Sequence, residues 1–120
     1  IDGTDMQCPS GQFSLTIIDS LIQMPNRTDG KGMIRWWGGS TNMGVLTGVV
    51  TGNIFNTTSK PFQWGTGGWS AGSTINISNN TLYTAATAFN TGQLATSWDA
   101  DITLTGANNT IGIPQDPIIP

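Results

Sequence analysis

The residues able to do chemistry in this chain are few, and their types restrict what that chemistry would be. All seven acidic residues are aspartate, and the closest two are Asp99 and Asp101. At i and i+2 their side chains share one face of an extended strand, where they repel unless solvated or bridged by a cation. They are therefore the one candidate for a weak Ca²⁺ site completed by backbone carbonyls. The plainer reading is an exposed acidic turn between two strands, and it is the expectation here because the calcium-loop pattern D-x-[DN]-x-[DN]-G is absent. No resident metal and no other cofactor is expected.

Histidine and glutamate are both missing. Ser-His-Asp and Cys-His systems then lack their general base, and the common zinc sets lack imidazole and have a single thiolate, Cys8. Glycoside hydrolysis would fall on aspartate alone. Proton transfer near neutral pH has no obvious agent, so the chain is expected not to be an enzyme. Cys8 cannot form an intrachain disulfide, and it is expected to be a small buried hydrophobe.

Binding chemistry is better represented. Trp64-Gly65-Thr66-Gly67-Gly68-Trp69 has the glycines of a phosphate loop but neither its lysine nor its strand–helix setting. Its two tryptophans could instead stack on sugar rings, with Tyr83 as a third aromatic contact, or anchor the base of the loop in the core. Trp36 and Trp37 are adjacent, so on a strand they point to opposite faces. One would need a cover outside its own core, which marks Trp36, Trp37 and the neighbouring Arg35 as candidate subunit-interface residues. Five N-x-[ST] triplets, at Asn26, Asn56, Asn76, Asn79 and Asn108, are weak signals in so Asn- and Thr-rich a chain.

Composition says what surface would carry these groups. Charged residues make up 9% of the 120, against a usual share of about 25%, and Thr, Ser, Asn, Gln and Gly stand in their place. Net charge is −3, and Arg27, Arg35, Lys31 and Lys60 are the only cations. No basic stripe could neutralise a phosphate backbone, so nucleic acid is not an expected partner. No apolar run approaches the ~20 residues needed to cross a bilayer as a helix, and membrane insertion is not expected. Five tryptophans and four phenylalanines supply large areas to bury, which argues against disorder.

The elements that must position these residues read as short strands. Phe13, Leu15 and Ile17 alternate with Ser14 and Thr16 over about Gln12 to Ile18, and Leu21 to Met24 continues after a bend at Asp19-Ser20. Gly32 to Trp37 is a further strand. Met43 to Ile54 is the longest, with Val45, Thr47, Val49 and Thr51 on one face and Gly44, Leu46, Gly48, Val50, Gly52 and Ile54 on the other. Ser73–Ser78 and Thr81–Ala86 flank Asn79-Asn80, which reads as a two-residue hairpin turn. Gln93 to Trp98, Asp101 to Thr105 and Thr110 to Ile113 complete the set, with Asn108-Asn109 as a turn, and Ala85 to Ala88 is the only weak helix candidate. Roughly eight short strands predict an all-β domain over residues 1–113, an antiparallel β-sandwich or jelly-roll-like knob. Residues 114–120 read as an extended Pro-rich tail.

The Thr-, Asn- and Gly-rich strands, as in Gly48-Val-Val-Thr-Gly-Asn-Ile-Phe-Asn-Thr-Thr58, the scattered tryptophans and the missing His and Glu give the chain a compositional style. In that style it resembles the tip knobs of tailed-phage needles and tail fibres, and related viral spike domains. The resemblance rests on no motif and carries no functional residue across. It implies a homotrimeric, receptor-binding β-knob on a virion surface or otherwise outside the cell, touching a host glycan or protein. The competing expectations are a structural capsid protrusion, decoration or pilus domain, and a carbohydrate-binding module.

Overall fold

The computed structural model describes residues 11–35, 44–65 and 68–118. Among them run eleven strands: β1 (Gln12–Ile18), β2 (Leu21–Met24), β3 (Ile34–Arg35), β4 (Val45–Thr51), β5 (Ile54–Thr57), β6 (Phe62–Trp64), β7 (Ser73–Ser78), β8 (Thr81–Tyr83), β9 (Ala95–Trp98), β10 (Ile102–Thr105) and β11 (Thr110–Gly112). The helical turn in this set, α1 (Thr91–Leu94), is capped by Asn90, whose side chain accepts from the Gln93 N–H. The Ala85–Ala88 helix does not form.

All the pairings are parallel, and no strand pairs with its neighbour in sequence. A first sheet runs β1-β4-β7-β10, a second β2-β5-β8-β11 and a third β3-β6-β9. The chain visits the three sheets in turn and advances one strand per circuit, making a β-solenoid of about three turns. This overturns the antiparallel sandwich or jelly roll of roughly eight strands. Short alternating strands punctuated by turn residues fit both architectures. What separates them is whether each turn reverses the chain or only bends it.

Here it bends it. The step from first to second sheet is taken at Asp19-Ser20, Gly52-Asn53, Asn79-Asn80 and Asn108-Asn109. The leading residue of each pair has positive φ, at 47°, 72°, 58° and 61°, and successive corners lie 33, 27 and 29 residues apart. Glycine and, more weakly, Asn and Asp tolerate this left-handed conformation. A type I′ hairpin would need two such residues in a row; each corner has one, so the chain turns onto an adjacent sheet. Asn79-Asn80 is thus a corner, not a hairpin.

The second residue of each corner ties the coils together. Ser20 N–H donates to Asn53 Oδ1 (3.0 Å), Asn53 N–H to Asn80 Oδ1 (2.9 Å) and Asn80 N–H to Asn109 Oδ1 (3.0 Å). In return Asn53, Asn80 and Asn109 donate from Nδ2 to the carbonyls of Ile17, Val50 and Ile77, at 2.8, 2.9 and 2.9 Å. Asn53 and Asn80 are buried, and a buried amide left unpaired costs about 1–3 kcal/mol. The ladder removes that cost by giving each coil's corner amide a partner on the coil before it.

Alternation then fills the interior. Inward columns read Leu15, Gly48, Ile75 and Leu104 on the first sheet and Ile22, Phe55, Leu82 and Ile111 on the second. Gly48 is required where it stands: a Cβ there would lie 2.9 Å from Ile75 Cγ1. The third sheet adds Ile34 and Phe62, and aromatic rings bridge the interior, with Phe62 stacked on Trp64 at 4.6 Å and edge-on to Phe55 at 5.4 Å.

Beyond β11 the chain leaves the stack. Asn56 exchanges hydrogen bonds with the backbone of Gln115, and Gln23 with that of Ile118. Residues 115–118 therefore run back along the outside of the second sheet, from β5 to β2, and seal Asn56 to 0% exposure.

Candidate functional site

Outward positions of the first sheet are set by the same alternation that fills the core. Because the strands are parallel and in register, like positions line up across four coils. One column is Ser14, Thr47, Thr74 and Thr103, and the next is Thr16, Val49, Asn76 and Thr105. All eight residues are exposed. Columns of this kind repeat about every 4.8 Å across strands and about 6.7 Å along them. Asn76 donates to Thr105 Oγ1 at 3.1 Å and accepts from Ser78 Oγ at 2.8 Å, which fixes the amide within the array.

None of the eight carries a charge. Stripping water from hydroxyls and amides costs far less than stripping it from carboxylates or ammonium groups, so this face can exchange its hydration for hydrogen bonds to a neutral polar partner. Val49 and the threonine methyls add apolar contact between the hydrogen-bonding groups.

The residues singled out from sequence lie elsewhere. Trp64 is 0% exposed and Trp69 3%, with Trp64 between Phe62 and Trp98 and Trp69 edge-on to Phe13 at 5.5 Å. Neither ring face is open to a sugar, so both serve the core. Tyr83 is half-buried on the outer face of the second sheet, beside Gly112, where a Cβ would stand 3.1 Å from its ring. Arg35 is half-buried at the end of β3, and Trp36 and Trp37 lie outside the described residues, as does Cys8.

Asp99 and Asp101 do not present a paired site. Asp99 is buried in the turn before β10, where Oδ2 accepts from the Trp69 N–H at 3.2 Å and Oδ1 from the Asp101 N–H at 2.9 Å. Asp101 is exposed. The turn, not an extended strand, governs their directions, and the carboxylate of Asp99 organises backbone. No group of three or more His, Cys, Asp or Glu side chains able to hold a metal occurs among the described residues.

Sequence reasoning grouped Val45, Thr47, Val49 and Thr51 on one face but did not find the array to which Thr47 and Val49 belong. Period-two alternation identifies which residues of one strand point out; only the parallel register places Thr47 beside Ser14 and Thr74. No protein-family model, curated protein or solved structure matches the chain.

Proposed function

We propose that this chain is a non-catalytic attachment domain, of the kind carried at the tip of a viral or phage fibre or spike. It acts outside the cell or on the virion surface, and it binds a neutral surface ligand, a host glycan or protein. The observation that supports this reading is the exposed, uncharged array of Ser14, Thr16, Thr47, Val49, Thr74, Asn76, Thr103 and Thr105 on one side of a rigid stack. With Trp64 and Trp69 buried, contact on this face rests on hydrogen bonds and methyl packing without ring stacking. Affinity per site is then low, and useful attachment depends on several copies acting together.

The test is binding of the purified chain to an array of neutral and acidic glycans and to intact cells, alongside Thr47→Asp/Thr74→Asp. Binding to neutral ligands that the double variant loses supports the reading. No binding to any surface, or binding that the variant retains, overturns it.

A second reading, an assembly domain that contacts only sister subunits, is favoured by the last coil, whose strands β10 and β11 are terminal in their sheets. A chain that oligomerises but adheres to no cell or glycan would favour it.

A further inference from the structure

Two side-chain amides on the outer face of the second sheet hold a piece of extended peptide. Gln23 and Asn56 are neighbours in one outward column, which Tyr83 and Gly112 continue. Asn56 Oδ1 accepts from the Gln115 N–H at 2.9 Å, and its Nδ2 donates to the Gln115 and Asp116 carbonyls at 3.2 and 3.4 Å. Gln23 Oε1 accepts from the Ile118 N–H at 2.8 Å, and its Nε2 donates to the Ile118 carbonyl at 2.6 Å. Each amide thus gives one residue both a donor and an acceptor, as the facing residue of a hydrogen-bonded strand pair would. A 3.4 Å bond from Asn56 Nδ2 to Gln23 Oε1 ties the two amides together.

What these groups read is main chain. Gln115, Asp116 and Pro117 are exposed, and none of the five bonds to the segment involves its side chains. Pro117 has no N–H and is a poor member of a strand ladder. The bonds fall on either side of it, so side-chain amides hold a segment that a β-strand could not pair with throughout. Pro114 and Pro117 also restrict φ, so the segment loses less freedom on docking. Asn56 is 0% exposed beneath it, and a buried amide needs a partner.

We propose that the Gln23–Asn56 column is a binding site for an extended, proline-interrupted segment of a partner polypeptide, and that the chain's own tail occupies it in cis until such a segment displaces it. The chemistry of the partner follows from the segment seated there. It offers N–H and C=O at two residues three apart, leaves the side chains between them free, and has no internal hydrogen bonds to give up. The site is on the second sheet and the neutral array on the first, so the two proposals fail separately. A short tether keeps the tail at an effective concentration of about millimolar, and the partner's segment must outbid it.

Fluorescence anisotropy with a labelled peptide of residues 113–118 tests this on the full chain and on Gln115→Pro/Ile118→Pro. That variant deletes the two N–H groups the tail offers and leaves the side chains of the site untouched. The expected result is binding to the variant at least tenfold tighter than to the unaltered chain, whose tail competes. Adding Asn56→Ala weakens it about tenfold, and alanine in place of Gln115 and Asp116 in the peptide changes little. A second measurement needs no variant: about 5 mM unlabelled peptide should speed amide exchange at Gln115 and Ile118 of the unaltered chain as the tail is displaced. No binding to the variant together with unchanged tail exchange, binding indifferent to Asn56→Ala, or self-association of the variant in place of peptide uptake overturns the proposal.

Discussion

Asn53 and Asn80 are joined twice: the backbone N–H of Asn53 donates to Asn80 Oδ1 at 2.9 Å, and its own Nδ2 donates to the same oxygen at 3.0 Å. Asn80 in turn donates to the Val50 carbonyl. One side chain thereby holds two coils in register at a corner that water does not reach.

Asn80→Ala should therefore be among the costliest single changes on the chain. It leaves a buried N–H and a buried carbonyl unpaired, and the expected loss is about 2–4 kcal/mol. Asn109→Ala, at a half-buried corner of the last coil, should cost less. Urea unfolding of both variants checks the order, and equal or negligible losses would refute the ladder's role.

Asn79 precedes that corner at a φ of 58°. Asn79→Gly should change stability by only a few tenths of a kcal/mol, whereas Asn79→Val should cost about 1–2 kcal/mol because a β-branched residue is strained there. Melting temperatures of the pair distinguish a conformational requirement from a side-chain contact. If glycine is as damaging as valine, the side chain matters more than φ.

Asn56 holds the tail. Removing its amide by Asn56→Ala should loosen Gln115 and Asp116 while Gln23 still holds Ile118 and the sheets stay paired, raising amide exchange at Gln115 roughly tenfold for the loss of about 1.4 kcal/mol of hydrogen bonding. Exchange in β4 and β7 should stay unchanged. Uniformly faster exchange would mean that the tail supports the whole stack.

Asp29 gives the pH dependence that the structure implies. Its carboxylate accepts from the Arg27 guanidinium at 2.7 Å and from the Lys31 N–H at 3.1 Å, and these bonds, Arg27 first, hold its pKa below the ordinary value. A lowered pKa in the folded state means a contribution present above about pH 4 and lost as pH falls below it. The pair is exposed at Asp29, so the effect on stability is small. NMR titration should show Asp29 ionising below a free carboxyl, and Arg27→Ala should bring it back up.

Much of the local structure is legible from residue types. The inward set Phe13, Leu15 and Ile17 and the outward set Thr47, Val49 and Thr51 follow from alternation, because a strand's side chains have a period of two whatever it pairs with. The corners were legible too as sites of Asp, Asn and Gly. Their recurrence after 33, 27 and 29 residues is the signal that could have revealed the coil, but loops of unequal length blur it.

What the sequence could not supply is the partner of each strand. Asn79-Asn80 suits a hairpin and a solenoid corner equally well, since both need a residue at positive φ. The choice is made by hydrogen bonds to chain nearly thirty residues away, Asn80 reaching Asn109 and Val50. That same long-range register buries Trp64 and Trp69, which residue type alone left open between core and ligand. Residue types by themselves determined that this is a β protein without an evident acid–base apparatus and with a neutral surface. Only the tertiary structure decided that its threonines form an array, because neighbours across a parallel sheet are set by the winding of the chain and not by their order along it.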